Sequence, residues 1–233
     1  MNGPVLMGIV MDLFKKDYSP DQIAGRLKRA YPETPEMGVS HETIYQYVYR
    51  EMLGQPELKG HFRHPRPCRR SRTGEKERRG QIPGRNPIEN RPAIVEEKVR
   101  IGDWEGDRVE GAGKTAYIAT FVEKTSKLLA AKVMPNKAAA TLNRAAIRAF
   151  NPIPDDCIKT LTFDNGKEFS GHKALAAALG CDIYFAHPYH SWERGLNEYT
   201  NGLIRQYLPK KTSFDNLTQR QLDRIVAKIN SIY

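Results

Sequence analysis

The sequence predicts an α/β domain standing behind a small all-α module, and three observations carry that expectation. From Arg91 onward, strand-like runs joined by short turns give way to a regular alternation of strand and helix. Residues 1–53 instead carry helix starts and apolar positions at helical spacing. Between them, residues 54–92 hold six of the fifteen prolines, five glycines and eleven Lys or Arg against four Glu, a composition that opposes packed secondary structure. The expected organisation is therefore a helical module at 1–53, a basic linker at 54–92 and an α/β domain at 93–233.

In the module, Val5 to Lys15 is apolar enough for a first helix. Ser19-Pro20-Asp21-Gln22 is a strong start for a second, with Ser19 as N-cap, Pro20 at the first helical position and Gln22 placed to complete a capping box. Ile23, Ala24 and Leu27 give that helix one apolar face. Ser40 is the N-cap of a third helix running to about Arg50, in which Ile44, Tyr47 and Val48 share a face. Glu42, Thr43, Gln46, Tyr49 and Arg50 point the other way. This is the outline of a helix-turn-helix, with Thr43 or Gln46 on base edges and Arg50 on phosphate. The connection of about ten residues is longer than usual, and any solvated helix face is also polar, so both readings stand on these residues alone.

The linker carries a net charge of +7, and its cluster Arg69, Arg70, Arg72, Lys76, Arg78 and Arg79 suits a phosphate backbone. The alternative is a solvated spacer.

Beyond it, Asp103 to Glu110, Ala116 to Val122 and Leu128 to Met134 read as three antiparallel strands joined by tight turns. Asn136 is the expected cap of an Ala-rich helix running to about Phe150, and Asn151-Pro152-Ile153-Pro154 ends it. Strand Ile158 to Phe163, helix His172 to Leu179, strand Ile183 to Phe185 and helix Arg194 to Tyr207 alternate after that, and Leu217 to Ile229 reads as a last helix. Three antiparallel strands followed by strand and helix in turn is the order of a ribonuclease H-like fold.

Candidate chemistry concentrates on acids. Asp164 closes a buried strand at the turn Asn165-Gly166, which puts a carboxylate on the rim of a sheet. Glu198 lies on the polar face of its helix with Arg194, Asn201 and Arg205, a face that could look into a cleft or into solvent. Asp103, Glu105 and Asp107 alternate on one face of one strand, so a period of two cannot choose among them. Like charges this close repel, and cations would relieve them. Acids delivered by two strands and a helix are the material of a two-metal phosphoryl-transfer site, in which hard oxygen ligands hold two divalent ions about 3.5–4 Å apart.

Composition narrows the setting. A formal charge of +10 and a pI near 9.5 call for a polyanionic partner, nucleic acid or an anionic membrane surface. No run of 18 apolar residues and no signal-like start favour a cytoplasmic, nucleoid-associated protein without a membrane role. Cys68, Cys157 and Cys181 are odd in number and widely spaced, which fits reduced thiols. His61, His64 and Cys68 form an incomplete zinc set.

The motifs Trp104-Glu105-Gly106-Asp107, Phe163-Asp164-Asn165-Gly166-Lys167-Glu168-Phe169, and Pro188-Tyr189 followed by Ser191 through Tyr207 resemble the catalytic domain of the IS-thirty family of bacterial insertion-sequence transposases. Ser19 to Leu27 and Ser40 to Tyr45 resemble the helix-turn-helix preceding that domain, so the similarity covers nearly the whole chain. The resemblance implies an integrase-type catalytic core whose Asp-Asp-Glu triad falls on Asp107, Asp164 and Glu198. It also implies two Mg2+ or Mn2+ ions per site and double-stranded DNA as partner, both the element's terminal repeats and the target. Cleavage at an element end and strand transfer by the freed 3′-OH are the expected reactions. Arg194 and Arg205 would meet DNA phosphates, and Asn165 and Glu193 would orient ligands or touch DNA. A homodimer or higher oligomer is expected, because two DNA ends must be brought together. The family usually has a further helix-turn-helix upstream and a basic segment downstream, so the chain resembles a truncated member. That keeps a second hypothesis alive, a catalytically impaired DNA-binding regulator of transposition; a third is a ribonuclease H-like nuclease acting on another nucleic acid.

Overall fold

The structure is a computed structural model that describes residues 3–51, 54, 55, 58, 61, 82–187 and 191–232. The chain forms two compact units, 1–73 and 74–231.

The first unit contains α1 (Pro4–Lys15), α2 (Pro20–Ala30) and α3 (His41–Glu51). Ser19 caps α2 with the full expected box: its hydroxyl accepts from the Gln22 amide, and the Gln22 side chain accepts from the Ser19 amide. Ser40 accepts from the Thr43 amide at 3.1 Å at the start of α3. Leu6, Val10 and Phe14 of α1, Ile23 and Leu27 of α2, and Ile44 and Val48 of α3 form one core. Leu58 is also fully buried in this core, and His61 Nδ1 lies 2.7 Å from Asp17 Oδ1. His61 of the incomplete zinc set is thus turned to a carboxylate. Its other members, His64 and Cys68, lie outside the described residues, as do Arg69, Arg70, Arg72, Lys76, Arg78 and Arg79.

The second unit is built on a five-stranded sheet of order β3-β2-β1-β4-β5. Its strands are β1 (Asp103–Glu110), β2 (Tyr117–Glu123), β3 (Leu129–Met134), β4 (Thr160–Phe163) and β5 (Asp182–Phe185). The first three are antiparallel, and β4 and β5 run parallel to β1, which is the ribonuclease H-like arrangement. A short helix α4 (Ile94–Glu97) precedes the sheet. On one face, α5 (Ala139–Phe150) and α6 (His172–Leu179) cover a core containing Trp104, Phe121, Leu142, Phe150, Leu161, Phe163 and Phe185. On the other, α7 (Gly195–Tyr207) and α8 (Gln219–Asn230) cover Val109, Ile118, Leu129, Leu203, Ile204, Leu222 and Ile229. The outer edge of β3 is closed by side chains of α8. Asn230 exchanges hydrogen bonds with the Leu129 backbone, and Gln219 does so with Val133 N–H and Ala131 C=O. An edge that would otherwise offer unpaired backbone groups is satisfied in this way.

Two expectations change. The α5 helix begins at Ala139 rather than at Asn136, whose side chain instead accepts from the Ala138 amide at 3.0 Å before the helix starts. The linker is also shorter at its C-terminal side than composition implies. Ile82 is buried in the sheet's core, Pro87 bridges to Phe185 in parallel fashion, and the buried Arg91 donates to Thr162 Oγ1 at 2.8 Å. Proline and glycine mark absence of regular structure there, not absence of packing.

Candidate active site

The parallel pairing of β1 with β4 sets Glu105 beside Thr162. Two residues beyond that pair lie Asp107, still on β1, and Asp164, just past the end of β4, and Arg194 approaches both. Gly106 makes the approach of the two strands possible: a Cβ there would lie 2.3 Å from Cε1 of Phe163, whose ring packs against the strand one residue before Asp164. Phe163 is held in turn by stacking on Phe169 at 4.2 Å between centroids.

The three acids of β1 are separated by their partners, which the alternation rule could not do. Asp103 is buried and receives both Nε (2.8 Å) and Nη2 (2.9 Å) of Arg100 and the hydroxyl of Thr160 (2.8 Å). Burial alone would raise its carboxyl, but these hydrogen bonds and the Arg100 and Lys159 charges outweigh it and hold it below the usual range. Glu105 is also buried, 3.2 Å from the buried ammonium of Lys124, and its other oxygen accepts from the backbone amide of Asn197 in the first turn of α7. A carboxylate at a helix N-terminus is favourable there. Lys124 and Arg91 both reach Glu96, so one polar network joins β4, α4, the β2–β3 turn, β1 and α7.

Asp107 alone keeps an open side, with a quarter of its side chain exposed. Desolvation raises its carboxyl most, the Arg194 charge and the Arg108 amide work against that, and the nearby Asp164 charge adds to the rise. Asn201 Nδ2 donates to Asp107 Oδ2 at 2.8 Å and accepts from Thr120 through its own oxygen. Asp164 accepts from the Gly166 amide at 2.8 Å. One guanidinium serves both aspartates: Arg194 lies 3.8 Å from Asp107 and 3.6 Å from Asp164, and donates to the Gly106 carbonyl at 3.1 Å.

Glu198 lies in the first turn of α7 with its side chain exposed. Among the described residues no group of three or more His, Cys, Asp or Glu is close enough to hold a metal ion, so the structure brings Asp107 and Asp164 together without Glu198. The donor chemistry of the pair nonetheless fits a hard divalent cation: two carboxylates already gathered around one positive charge.

Arg194 and Arg205 are not free phosphate ligands. Arg205 donates to the Glu110 carbonyl at 2.6 Å and lies over the Phe214 ring, so both guanidiniums are turned to the protein. Glu193 receives the His187 amide at 2.8 Å and faces its ring Nδ1 at 2.8 Å; Asn165 bonds Arg85 and donates to the Ala186 carbonyl. In the first unit, Thr43, Gln46 and Arg50 are exposed on α3. The sequence named Glu105 and Asn201 without giving either this role, and did not point to Lys124. Asn201 was legible as the residue one turn after Glu198 on the same face.

A cleft of about 740 Å³ opens beside Asp164, lined among others by Arg108, Lys137, Gly166, Lys167, Glu168 and Ser170. Arg108 is 2.9 Å from Glu168, which leaves Lys137 and Lys167 as its exposed cations.

Residues 100–191 match the integrase core domain family. Match and fold together define the class, a polynucleotidyl transferase of the DDE type found in insertion-sequence transposases. The chain is 38% identical over 228 residues to the transposase of insertion sequence element IS1086 from Cupriavidus metallidurans, covering 97% of this chain and 67% of that protein. It is likewise 38% identical to the IS4351 transposase of Bacteroides fragilis, covering 98% and 68%, and 36% identical to transposase InsI of IS30A from Escherichia coli, covering 97% and 60%. The chain belongs to the IS-thirty family of insertion-sequence transposases.

Proposed function

We propose that the chain cuts DNA at the ends of an insertion sequence and joins the freed 3′-OH to target DNA, using Asp107, Asp164 and Glu198 to hold two Mg2+ or Mn2+ ions. The observation that supports this most is the gathering of Asp107, on β1, and Asp164, just past the end of the neighbouring parallel strand β4, about one cationic group. Divalent ions held there would supply the charge that activates the attacking oxygen and stabilises the leaving 3′ oxygen. The protein's own part is positioning. Asn201 fixes one Asp107 oxygen, the Gly166 amide fixes one Asp164 oxygen, and Glu105 anchors the helix turn that presents Glu198. Glu198 would complete the set by a rotamer change or a small movement of the first turn of α7.

In this reading α3 places Thr43, Gln46 and Arg50 on DNA, and the linker arginines track its backbone. Asn165 and Glu193 hold the loops around the acids rather than touch DNA. Terminal repeats and target are the two duplexes, and a dimer joins two ends. The relatives are named transposases, which favours the enzyme over a catalytically impaired regulator.

The test is cleavage and joining of labelled element ends in Mg2+ or Mn2+. Asp164→Ala and Glu198→Ala should each lower both steps at least about 10²–10³-fold, the order lost when a group acting in the transition state is removed, while duplex binding in a gel shift stays close to wild type. Full activity in the double variant would sink the assignment.

A further inference from the structure

A second cleft lies on the opposite side of α5 from Asp164. It encloses about 610 Å³ and is lined by Lys132, Val133, Pro135, Thr141, Arg144, Ala145, Arg148, Leu217 and Gln219. Three of these side chains are cations and none is an acid. Arg144 and Arg148 are exposed and four residues apart on α5, so their stems stand about 6 Å apart along the helix. Lys132 reaches the same cleft from the edge strand β3. Among the described residues none of the three forms an ion pair, and Arg144 donates to the Thr141 hydroxyl at 3.2 Å. Arg100, Arg108, Lys124 and Arg194 of this unit each face an acid. The cleft departs from that pattern.

Its position gives the charge a use. β3 leaves the sheet at the same end as β1, because each is antiparallel to β2. The turn that follows is a wall of both clefts: Pro135 lines this one, and Asn136 to Ala139 line the one beside Asp164. A polyanion leaving Asp164 would pass Lys167 and Lys137 and enter between Arg144, Arg148 and Lys132.

We propose that the Lys132–Arg144–Arg148 cleft binds the phosphodiester backbone of duplex DNA, holding a segment that flanks the one at the aspartates. The proposal rests on the DNA-cutting reading above and adds a contact remote from the chemistry. Neutralising a phosphate contact lowers the dependence of log Kobs on log salt by about 0.9, so a cleft seating three phosphates contributes about 2.7 to the slope.

The experiment measures salt-dependent binding of a labelled duplex of arbitrary sequence by the full chain. Wild type is compared with K132Q/R144Q/R148Q and with K98Q/K173Q/K210Q, which removes the same charge from exposed positions elsewhere on this unit. The expected result is a slope lowered by about 2–3 in the cleft variant and by less than about 1 in the control, with thermal midpoints unchanged. Equal slopes in the two variants would overturn the proposal, because net charge would then explain the effect. An unchanged slope with an altered sedimentation coefficient would also overturn it, assigning the cleft to contact between copies. Absence of any duplex binding by wild type would remove the DNA-cutting reading itself, whereas the first two outcomes leave it standing.

Discussion

At the scale of single residues, the strongest constraint falls on Gly106. An added Cβ would penetrate the Phe163 ring, which is fully buried and stacked on Phe169, so the ring cannot yield cheaply. Gly106→Ala should destabilise the protein by about 1–3 kcal/mol, the usual cost of overpacking. It should also push Asp164 away from Asp107, so cleavage should fall by more than the loss of folded protein explains. Thermal denaturation and single-turnover cleavage check this together, and Phe163→Leu in the Gly106→Ala background should recover part of both. Arg194 has the opposite character. Removing its guanidinium leaves two carboxylates facing each other, so Arg194→Ala should lower the melting temperature without divalent ions and show a larger Mg2+-induced rise than wild type. An equal Mg2+ response in the two proteins would show that Arg194 does not share the carboxylates with the ion. These roles were only half legible in the sequence. That three acids on one strand face need cations follows from their spacing, whereas which cation serves which acid depends on Arg100, Lys124 and Arg194 arriving from three different elements. No local pattern encodes that.

Among elements, the helix α7 depends on a residue of the strand beneath it. Glu105 binds the amide of Asn197 and the ammonium of Lys124 with almost no water access. Glu105→Ala leaves that buried ammonium with only the exposed Glu96 at 3.8 Å, which should cost up to about 3–5 kcal/mol, whereas a Glu105→Leu/Lys124→Met double change should cost much less. Urea denaturation of the set tests it: a single variant as stable as the double would mean the pair is not charged or not buried. The segment before α7 has a titratable tie. His187 stands between Glu193 and Glu89, whose hydrogen bonds and charges raise the imidazole above its ordinary value, while Glu89 is held low by a backbone hydrogen bond and by His187. The raised imidazole contributes stability that is present below its unfolded pKa near 6.5 and is lost as pH rises through the folded value; the lowered Glu89 contributes above about 4.5 and is lost on acidification. The tie is therefore strongest from about pH 4.5 to 6.5. Hydrogen exchange of amides in the first turn of α7 should quicken above that window, after correction for the intrinsic pH dependence, and His187→Gln should remove the change. Element order and type were legible because strand and helix periods differ so clearly here. Boundaries were less so: Glu123 extends β2 by pairing with Trp104, and its carboxylate receives the Thr125 and Ser126 amides that shape the next turn.

For the molecule as a whole, the charge of +10 is concentrated where regular structure is not expected. The described residues show that 82–92 belong to the α/β unit, because Ile82 and Arg91 are buried in it. Composition could not reveal this, since a proline-rich strap can lie in a groove as readily as in solvent. What remains of the expected linker holds Arg69, Arg70, Arg72, Arg78 and Arg79, whose contribution to DNA binding is read from sequence alone. If these five track the duplex backbone, changing all of them to Gln should lower the slope of log Kobs against log salt by up to about 4.5. The loss should add to that of the Lys132–Arg144–Arg148 change, because independent phosphate contacts release counterions independently. A slope equal to that of wild type would make residues 62–81 a spacer. In that case duplex affinity would rest on α3 and on the clefts either side of α5.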